Sequence, residues 1–238
     1  MPGTHTTRSH RIPYSASSVT VVSSFERLLQ DQPMPPFGRF LWSVGPVTVR
    51  AVARLAFSMQ IELQGDLPPP PFVVAANHYS HLDPVVIGAS VGKPIRYLAV
   101  DELFGISTIF DRLLGWVGVI PISRSRAPVR TLRVALARLE AGEIVGVFPE
   151  GTRVSHWGDL SPKRGAAWLA VRAKVPLLPV AVVGTDRAFG LDNRWHSAPI
   201  GVVVGRPLSP HSEDASILTS TWESWVTDQL ARFPQSHG

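Results

Sequence analysis

Two stretches of this 238-residue chain hold side chains whose types and spacing could do chemistry, and two more add cations nearby. The first is Asn77-His78-Tyr79-Ser80-His81-Leu82-Asp83-Pro84, directly after the apolar run FVVAA. A strand that ends in a polar loop, followed by Asp-Pro at a helix start, presents His78 at the mouth of a sheet. Asp83 follows at a distance that lets the loop fold back and bring its carboxylate to the imidazole. A His oriented by a carboxylate is a general base that works near neutral pH. A plainer reading stands beside it: Asp83 as a helix N-cap with Pro84 at the first helical position, and His78 as a polar loop residue.

The second stretch is Phe148-Pro149-Glu150-Gly151-Thr152-Arg153, after the run EIVGVF. A Glu, a glycine that admits close backbone approach, a hydroxyl and an Arg at a strand end can hold a phosphate or a polyol. An ordinary β-turn with a surface Arg has the same appearance. Lys163-Arg164-Gly165 then opens a helix and adds two cations, which a solvated helix start explains equally well. Gly118-Val119-Ile120-Pro121-Ile122-Ser123-Arg124 reads as a buried strand ending in Arg124, which in isolation is a surface charge.

The elements that must position these groups alternate. Short β-rich runs fall at residues 72–75, 95–100, 117–122, 144–148, 177–183 and 201–204, and helical stretches at 84–91, 102–114, 129–140, 165–173 and 217–233. The helix at 129–140 carries Leu132, Leu136 and Leu139 on one face and Arg130, Arg133 and Arg138 on the rest, with Ala141-Gly142 at its end. This alternation predicts an α/β domain, a largely parallel central sheet flanked by helices, with functional groups gathered beyond the strand C-termini. In the last helix, Trp222, Trp225, Val226, Leu230 and Phe233 form an apolar face best read as core packing.

Upstream, residues 1–36 are polar with little periodicity and read as a mobile arm. Residues 37–64 read as an amphipathic, membrane-proximal helical segment, and 65–238 as the catalytic domain. At about 100° per residue, Arg39, Arg50 and Arg54 share one ~60° sector, with Leu41, Val44, Val52, Leu55 and Met59 opposite. Gly45-Pro46 interrupts the pattern, and the prolines at 68–71 suggest a stiff polyproline hinge. The arginines would face anionic lipid if this helix lay in the membrane interface, whereas simple packing on the domain would bury its apolar face.

Composition narrows the classes. Hydrophobic residues are 45% and charged ones 17%, which excludes a disordered polyampholyte and a coiled coil. The absence of Cys removes disulfides, thiolate metal sites and thiol nucleophiles. Lys and Arg number 23 against 18 acidic residues, a formal +5 that suits an anionic partner. A basic stripe with stacking aromatics, which a nucleic-acid binder needs, is missing. The longest run without charge, 67–82, contains four prolines and two histidines, so no transmembrane helix is expected, and no signal peptide. Oligomeric state is not legible.

Taken together, the order and spacing of NHYSHLD, GVIPISR, FPEGTR and VPLLPV resemble the four sequence blocks of the glycerolipid acyltransferases, the family that includes the 1-acylglycerol-3-phosphate acyltransferases. The resemblance covers about residues 70 to 185, and the trailing VVVGRPL is similar to the family's penultimate strand. It implies that His78 abstracts the acceptor hydroxyl proton while Asp83 orients it. It also implies that Arg124, Glu150, Gly151, Thr152 and Arg153 bind the acceptor's glycerol phosphate, to which the charge of Lys163 can be added from the residues themselves, and that Pro179 shapes the acyl side. The implied reaction takes a fatty acyl group from acyl-CoA or acyl-carrier protein to a lysophospholipid, lysophosphatidic acid first among them, at the cytoplasmic face of a membrane, with no metal and no further cofactor. Val154, Pro121 and Pro162 depart from the family pattern near the acceptor, which leaves glycerol 3-phosphate, another lysolipid or a glycolipid as other acceptors.

Three rival readings have sequence support. Gly88-Ala89-Ser90-Val91-Gly92 matches the G-x-S-x-G nucleophile elbow, but it sits where a helix should end rather than begin. His78, His81 and Asp83 fit no established metal-ligand pattern. A non-catalytic membrane adaptor would need the 37–59 helix and no base.

Overall fold

The computed structural model describes residues 34–100, 112, 114–116, 118–122, 128–191, 194–210 and 214–233. Helix α1 (Pro36–Phe57) comes first, then β1 (Gln60–Leu63), β2 (Val73–Ala76), α2 (Asp83–Val91), β3 (Ile95–Val100) and β4 (Ile120–Ile122). They are followed by α3 (Pro128–Glu140), β5 (Ile144–Val147), α4 (Gly165–Ala173), β6 (Leu177–Val183), the single turn α5 (Thr185–Ala188), β7 (Gly201–Val204) and α6 (Ala215–Ala231).

The strands form one sheet in the order β1-β7-β6-β2-β5-β3-β4, parallel throughout except for the antiparallel β6–β7 pair. β2 and β6 are buried on both faces, which is why VVAA and LLPVAVV read as continuous apolar runs rather than alternating ones. Val73, Ala75, Leu177 and Ala181 meet Ala135 and Leu139 of α3, Leu169 of α4 and Trp222 of α6 on one face. Phe72, Val74, Leu178 and Val180 meet Ala53 of α1 and Val86, Ile87 and Val91 of α2 on the other. The expected α/β architecture is therefore present, including the core role of the last helix: Trp222, Val226 and Leu230 are buried, and the Trp222 indole donates to Ala75 O at 2.9 Å.

Several expectations need correction. Strand β1 lies inside the segment read as wholly helical, and it pairs with β7, so the sheet begins before residue 65. The proline run at 68–71, with a cis bond between Pro70 and Pro71, therefore joins two strands of one sheet rather than acting as a hinge. Helix α1 continues through Pro46, which is buried, despite the ~3 kcal/mol an interior Pro costs, and the helix as a whole packs on α2. Arg138 is buried rather than on the solvent face, paired with Glu143, which also binds Arg96 at 2.7 Å. Met59 follows the left-handed Ser58 that ends α1 and drops into the core, off the apolar face predicted for it. Most of the expected arm, residues 1–33, and most of the helix predicted at 102–114 lie outside the described residues.

Among the described residues α1 is also long and apolar enough to cross a membrane by length and composition, contrary to the sequence expectation. Its inner face is nonetheless docked. Gly88 of α2 leaves room for Trp42, since a Cβ there would stand 2.9 Å from Trp42 Cη2. Arg50 donates from Nη2 to Ser90 O at 3.1 Å and from Nε to Ala89 O, meeting the partial negative charge at the α2 C-terminus. Arg50 thus points at the domain, not at lipid. Phe40, Val44, Val47 and Leu55, the last 89% exposed, face away from it, while Phe37 packs edge-on against Trp116.

Candidate active site

The site lies where β2 and β5 end side by side. They are parallel neighbours with Ala75 opposite Val147, so the loops that follow leave the same edge of the sheet. Asn77, fully buried, extends the ladder with its side chain: Nδ2 donates to Val182 O at 2.8 Å and Val182 N–H donates to Oδ1 at 2.7 Å. This fixes the point at which the chain leaves β2, immediately before His78. Asn77 carries no role in the sequence expectations, although a polar residue closing an apolar strand is the signal that marks it.

The loop then folds back as the spacing suggested. His78 Nδ1 lies 2.8 Å from Asp83 Oδ2, with the imidazole 17% exposed and the carboxylate fully buried. The same Oδ2 accepts from Tyr79 N–H at 2.6 Å and Ser80 N–H at 2.7 Å. Asp83 begins α2 but makes no cap bond to the helix, so the plain N-cap reading does not describe it. A carboxylate ringed by donors requires hydrogen on Nδ1 and leaves the Nε2 lone pair free, the tautomer a general base needs. The Ser80 hydroxyl donates to Phe189 O and accepts from Leu82 N–H at 3.1 Å, which stiffens the loop away from the imidazole.

The loop after β5 wraps the other side of His78. Phe148 stacks on the imidazole with centroids 3.9 Å apart at 16°, and Tyr97 stacks behind Phe148. His78 N–H donates to Glu150 Oε1 at 3.1 Å, and His78 O accepts from Val154 N–H at 2.9 Å. Glu150 is 2% exposed, and burial pushes its carboxyl up to about 7, partly opposed by its own and His78's N–H. Gly151 sits at φ +77°, and a Cβ there would come within 2.5 Å of Lys163 Nζ, so the glycine lets the ammonium lie against the loop.

Arg153 is half-buried, with Nη1 shielded from solvent and unpartnered among the described residues. Desolvation lowers its pKa and the Asp83 charge raises it, which places the guanidinium within electrostatic reach of the Asp83 carboxylate. Thr152 and Lys163 are exposed beside it. His81 is pushed down, by desolvation first and then by the Arg153 and His78 charges. Loop closure thus brings His78, Asp83, Glu150, Gly151 and Arg153 together around one mouth. Arg124 lies outside the described residues; β4, which precedes it, runs parallel to β3 and ends at the same edge. Pro179 sits in β6 opposite Ala75.

The rival motif is resolved by placement. Ser90 is buried within α2 and donates to Val86 O, and the glycines around it serve the α1 contact and the helix end at Gly92, φ +68°. Among the described residues no group of three or more His, Asp or Glu could hold a metal ion.

Fold and site together define an α/β enzyme whose carboxylate-oriented His lies beside a loop of exposed and half-buried cations. A family model described as "Acyltransferase" matches residues 58–183, more than half of the chain. The chain is 32% identical over 150 residues to the 1-acyl-sn-glycerol-3-phosphate acyltransferase of Bacillus subtilis, covering 63% of this chain and 71% of that one. It is 33% identical over 170 residues to mouse 1-acyl-sn-glycerol-3-phosphate acyltransferase alpha, covering 68% of this chain and 58% of that one. The crystal structure of the 1-acyl-sn-glycerophosphate acyltransferase of Thermotoga maritima has the same fold, with a TM-score of 0.64 at 23% identity over 90% of this chain and 91% of that one. The chain belongs to the glycerolipid acyltransferase family and is an O-acyltransferase.

Proposed function

We propose that this enzyme acylates the free hydroxyl of 1-acylglycerol 3-phosphate, forming phosphatidic acid by direct transfer from acyl-CoA or acyl-carrier protein. His78 Nε2 takes the hydroxyl proton, and the oxygen attacks the thioester carbonyl. The C–S bond then breaks, and the thiolate leaves with the proton held by His78. Asp83 keeps Nδ1 protonated and balances the imidazolium. Base assistance of this kind is worth roughly 10²–10⁴-fold, with positioning supplying more. Arg153, Lys163 and Thr152, with Arg124, take the acceptor phosphate, and no cofactor beyond the acyl donor is needed. The observation that carries this reading is the 2.8 Å contact of His78 Nδ1 with a buried carboxylate. The names of the relatives support the acceptor.

The acceptor is a lipid, and the outward apolar face of α1 supports peripheral docking on an anionic bilayer at its cytoplasmic face, with Arg39 and Arg54 exposed near that face. A spanning role would require α1 to leave α2. Thiol release from acyl-CoA is to be measured with lysophosphatidic acid, glycerol 3-phosphate and other lysolipids, followed by lipid mass analysis. Acceptor-dependent phosphatidic acid formation that disappears in His78→Ala is expected; a wild-type rate in that variant overturns the base assignment. Leu55→Glu with Val47→Glu should release the protein from anionic liposomes, and unchanged flotation overturns the docking surface.

A further inference from the structure

We infer that Glu150 is a positioning residue, holding the main chain of His78 in place rather than contacting the acceptor. The inference rests on the reading of His78 as the base. Family resemblance put Glu150 among the acceptor ligands, but its environment is that of a strut. The residue is 2% exposed, and Oε1 accepts the His78 N–H at 3.1 Å while Oε2 meets no donor. The turn that carries it is pinned at both ends: Gly151 N–H donates to Phe148 O at 3.0 Å and Lys163 N–H to Pro149 O at 2.8 Å. With the turn held in place, swinging the carboxylate outward would strand the His78 N–H. A carboxylate is also the wrong charge for a phosphate-bearing acceptor.

What the loop after β5 does contact is His78 itself, on three sides. Glu150 takes its N–H, Val154 N–H takes its carbonyl, and Phe148 covers the ring face at 3.9 Å. Asp83 fixes the ring edge from the opposite side. With the peptide held fore and aft, the ring keeps only its two side-chain torsions, and Asp83 and Phe148 stop both. Of the two grips on the His78 main chain, Glu150 supplies the one that comes from a side chain, so it can be removed without touching the ring, the carboxylate partner or the cations. Losing it lets the His78 peptide shift, and a displacement of about 1 Å at a reacting group lowers rates by about 10²-fold.

The test compares Glu150→Met, which keeps the bulk and removes the oxygen, with Glu150→Gln, which keeps an acceptor at the Oε1 position. Steady-state thiol release gives kcat and the acceptor KM. Imidazole ¹⁵N spectra of the full chain, with His78 assigned by His78→Ala, report the ring. The expected result is a kcat lowered about 10–100-fold in Glu150→Met, an acceptor KM within about twofold, and rescue of kcat in Glu150→Gln. The His78 resonances should broaden or mix tautomers in Glu150→Met alone. A raised acceptor KM at unchanged kcat would make Glu150 an acceptor contact and overturn the inference. So would Glu150→Gln losing more than tenfold in kcat, a result that counts even if Glu150→Met does not fold. A wild-type rate in His78→Ala instead overturns the base assignment, whatever the Glu150 variants do.

Discussion

Asp83→Asn separates orientation from charge in the proposed catalytic pair. In the wild type one oxygen, Oδ2, accepts from His78 Nδ1, Tyr79 N–H and Ser80 N–H at 2.6–2.8 Å, while Oδ1 is buried without a partner. An Asn in this socket must keep its carbonyl oxygen at the Oδ2 position, because the flipped amide would set its NH₂ against two backbone donors. His78 therefore keeps hydrogen on Nδ1 and Nε2 stays available. What disappears is the negative charge that, in the proposed mechanism, steadies the imidazolium as the hydroxyl proton transfers. Hydrogen bonds to charged groups are worth roughly 1.5–3 kcal/mol against about 1 for neutral ones, and the buried site enlarges the difference. A loss of about 2–3 kcal/mol in the transition state corresponds to a kcat about 10²-fold lower. Exchanging one unpartnered buried atom at Oδ1 for another leaves stability little changed. The assay is thiol release under saturating acceptor, with imidazole ¹⁵N shifts read on the same protein. A kcat within threefold of wild type would refute the role of the charge. A loss near the ~10⁴-fold that a wrong tautomer causes, with hydrogen found on Nε2, would refute the argument that the two loop amides lock the oxygen.

Two further outcomes follow from buried groups. Asn77→Ala leaves Val182 N–H and Val182 O unpaired in a fully buried place, at about 1–3 kcal/mol each, so the melting temperature should fall by about 10 °C; a fall under 2 °C would show that the ladder closes without it. Burial raises the Glu150 carboxyl from the usual 4.5 to about 7. Below the lower value both folded and unfolded chains carry it neutral, and its contribution is fully present. Between the two values the unfolded chain ionises while the folded one does not, so stability is lost as pH rises, by about 3 kcal/mol at neutral pH and above. Glu150→Gln removes this slope: urea unfolding should find the variant equal to wild type near pH 4.5 and increasingly more stable towards pH 7, and a difference independent of pH would refute the buried-carboxyl assignment.

The architecture was largely legible because the central strands advertise themselves. VVAA and LLPVAVV are apolar without alternation, which only a sheet covered on both faces requires. β1 was not legible: QIEL is a short edge strand with a charged residue, and only its pairing with β7 makes it a strand. The same limit explains Pro46 and Arg50. A Pro inside a helix and an Arg sector both argue locally for a break and a solvent face, but α1 runs on through Pro46, and docking on α2 gives Arg50 two carbonyls.

Within the site, the closeness of His78 and Asp83 was legible in the sequence. Their separation, the strand before and the helix after, confine His78 and Asp83 to one short loop that has few ways to close. The sequence also determined that FPEGTR would follow a parallel strand and so emerge at the edge where His78 does. The placement of β5 next to β2, and hence the wrapping of this loop around His78, belongs to the tertiary structure. It alone turned Glu150 inward onto the His78 amide while leaving Arg153 half-buried at the mouth. Neighbouring residues of one loop alternate between buried and open by the path of the backbone through its turn. That path is set by hydrogen bonds to residues far away in sequence, Val154 N–H to His78 O and Lys163 N–H to Pro149 O, which no local pattern records.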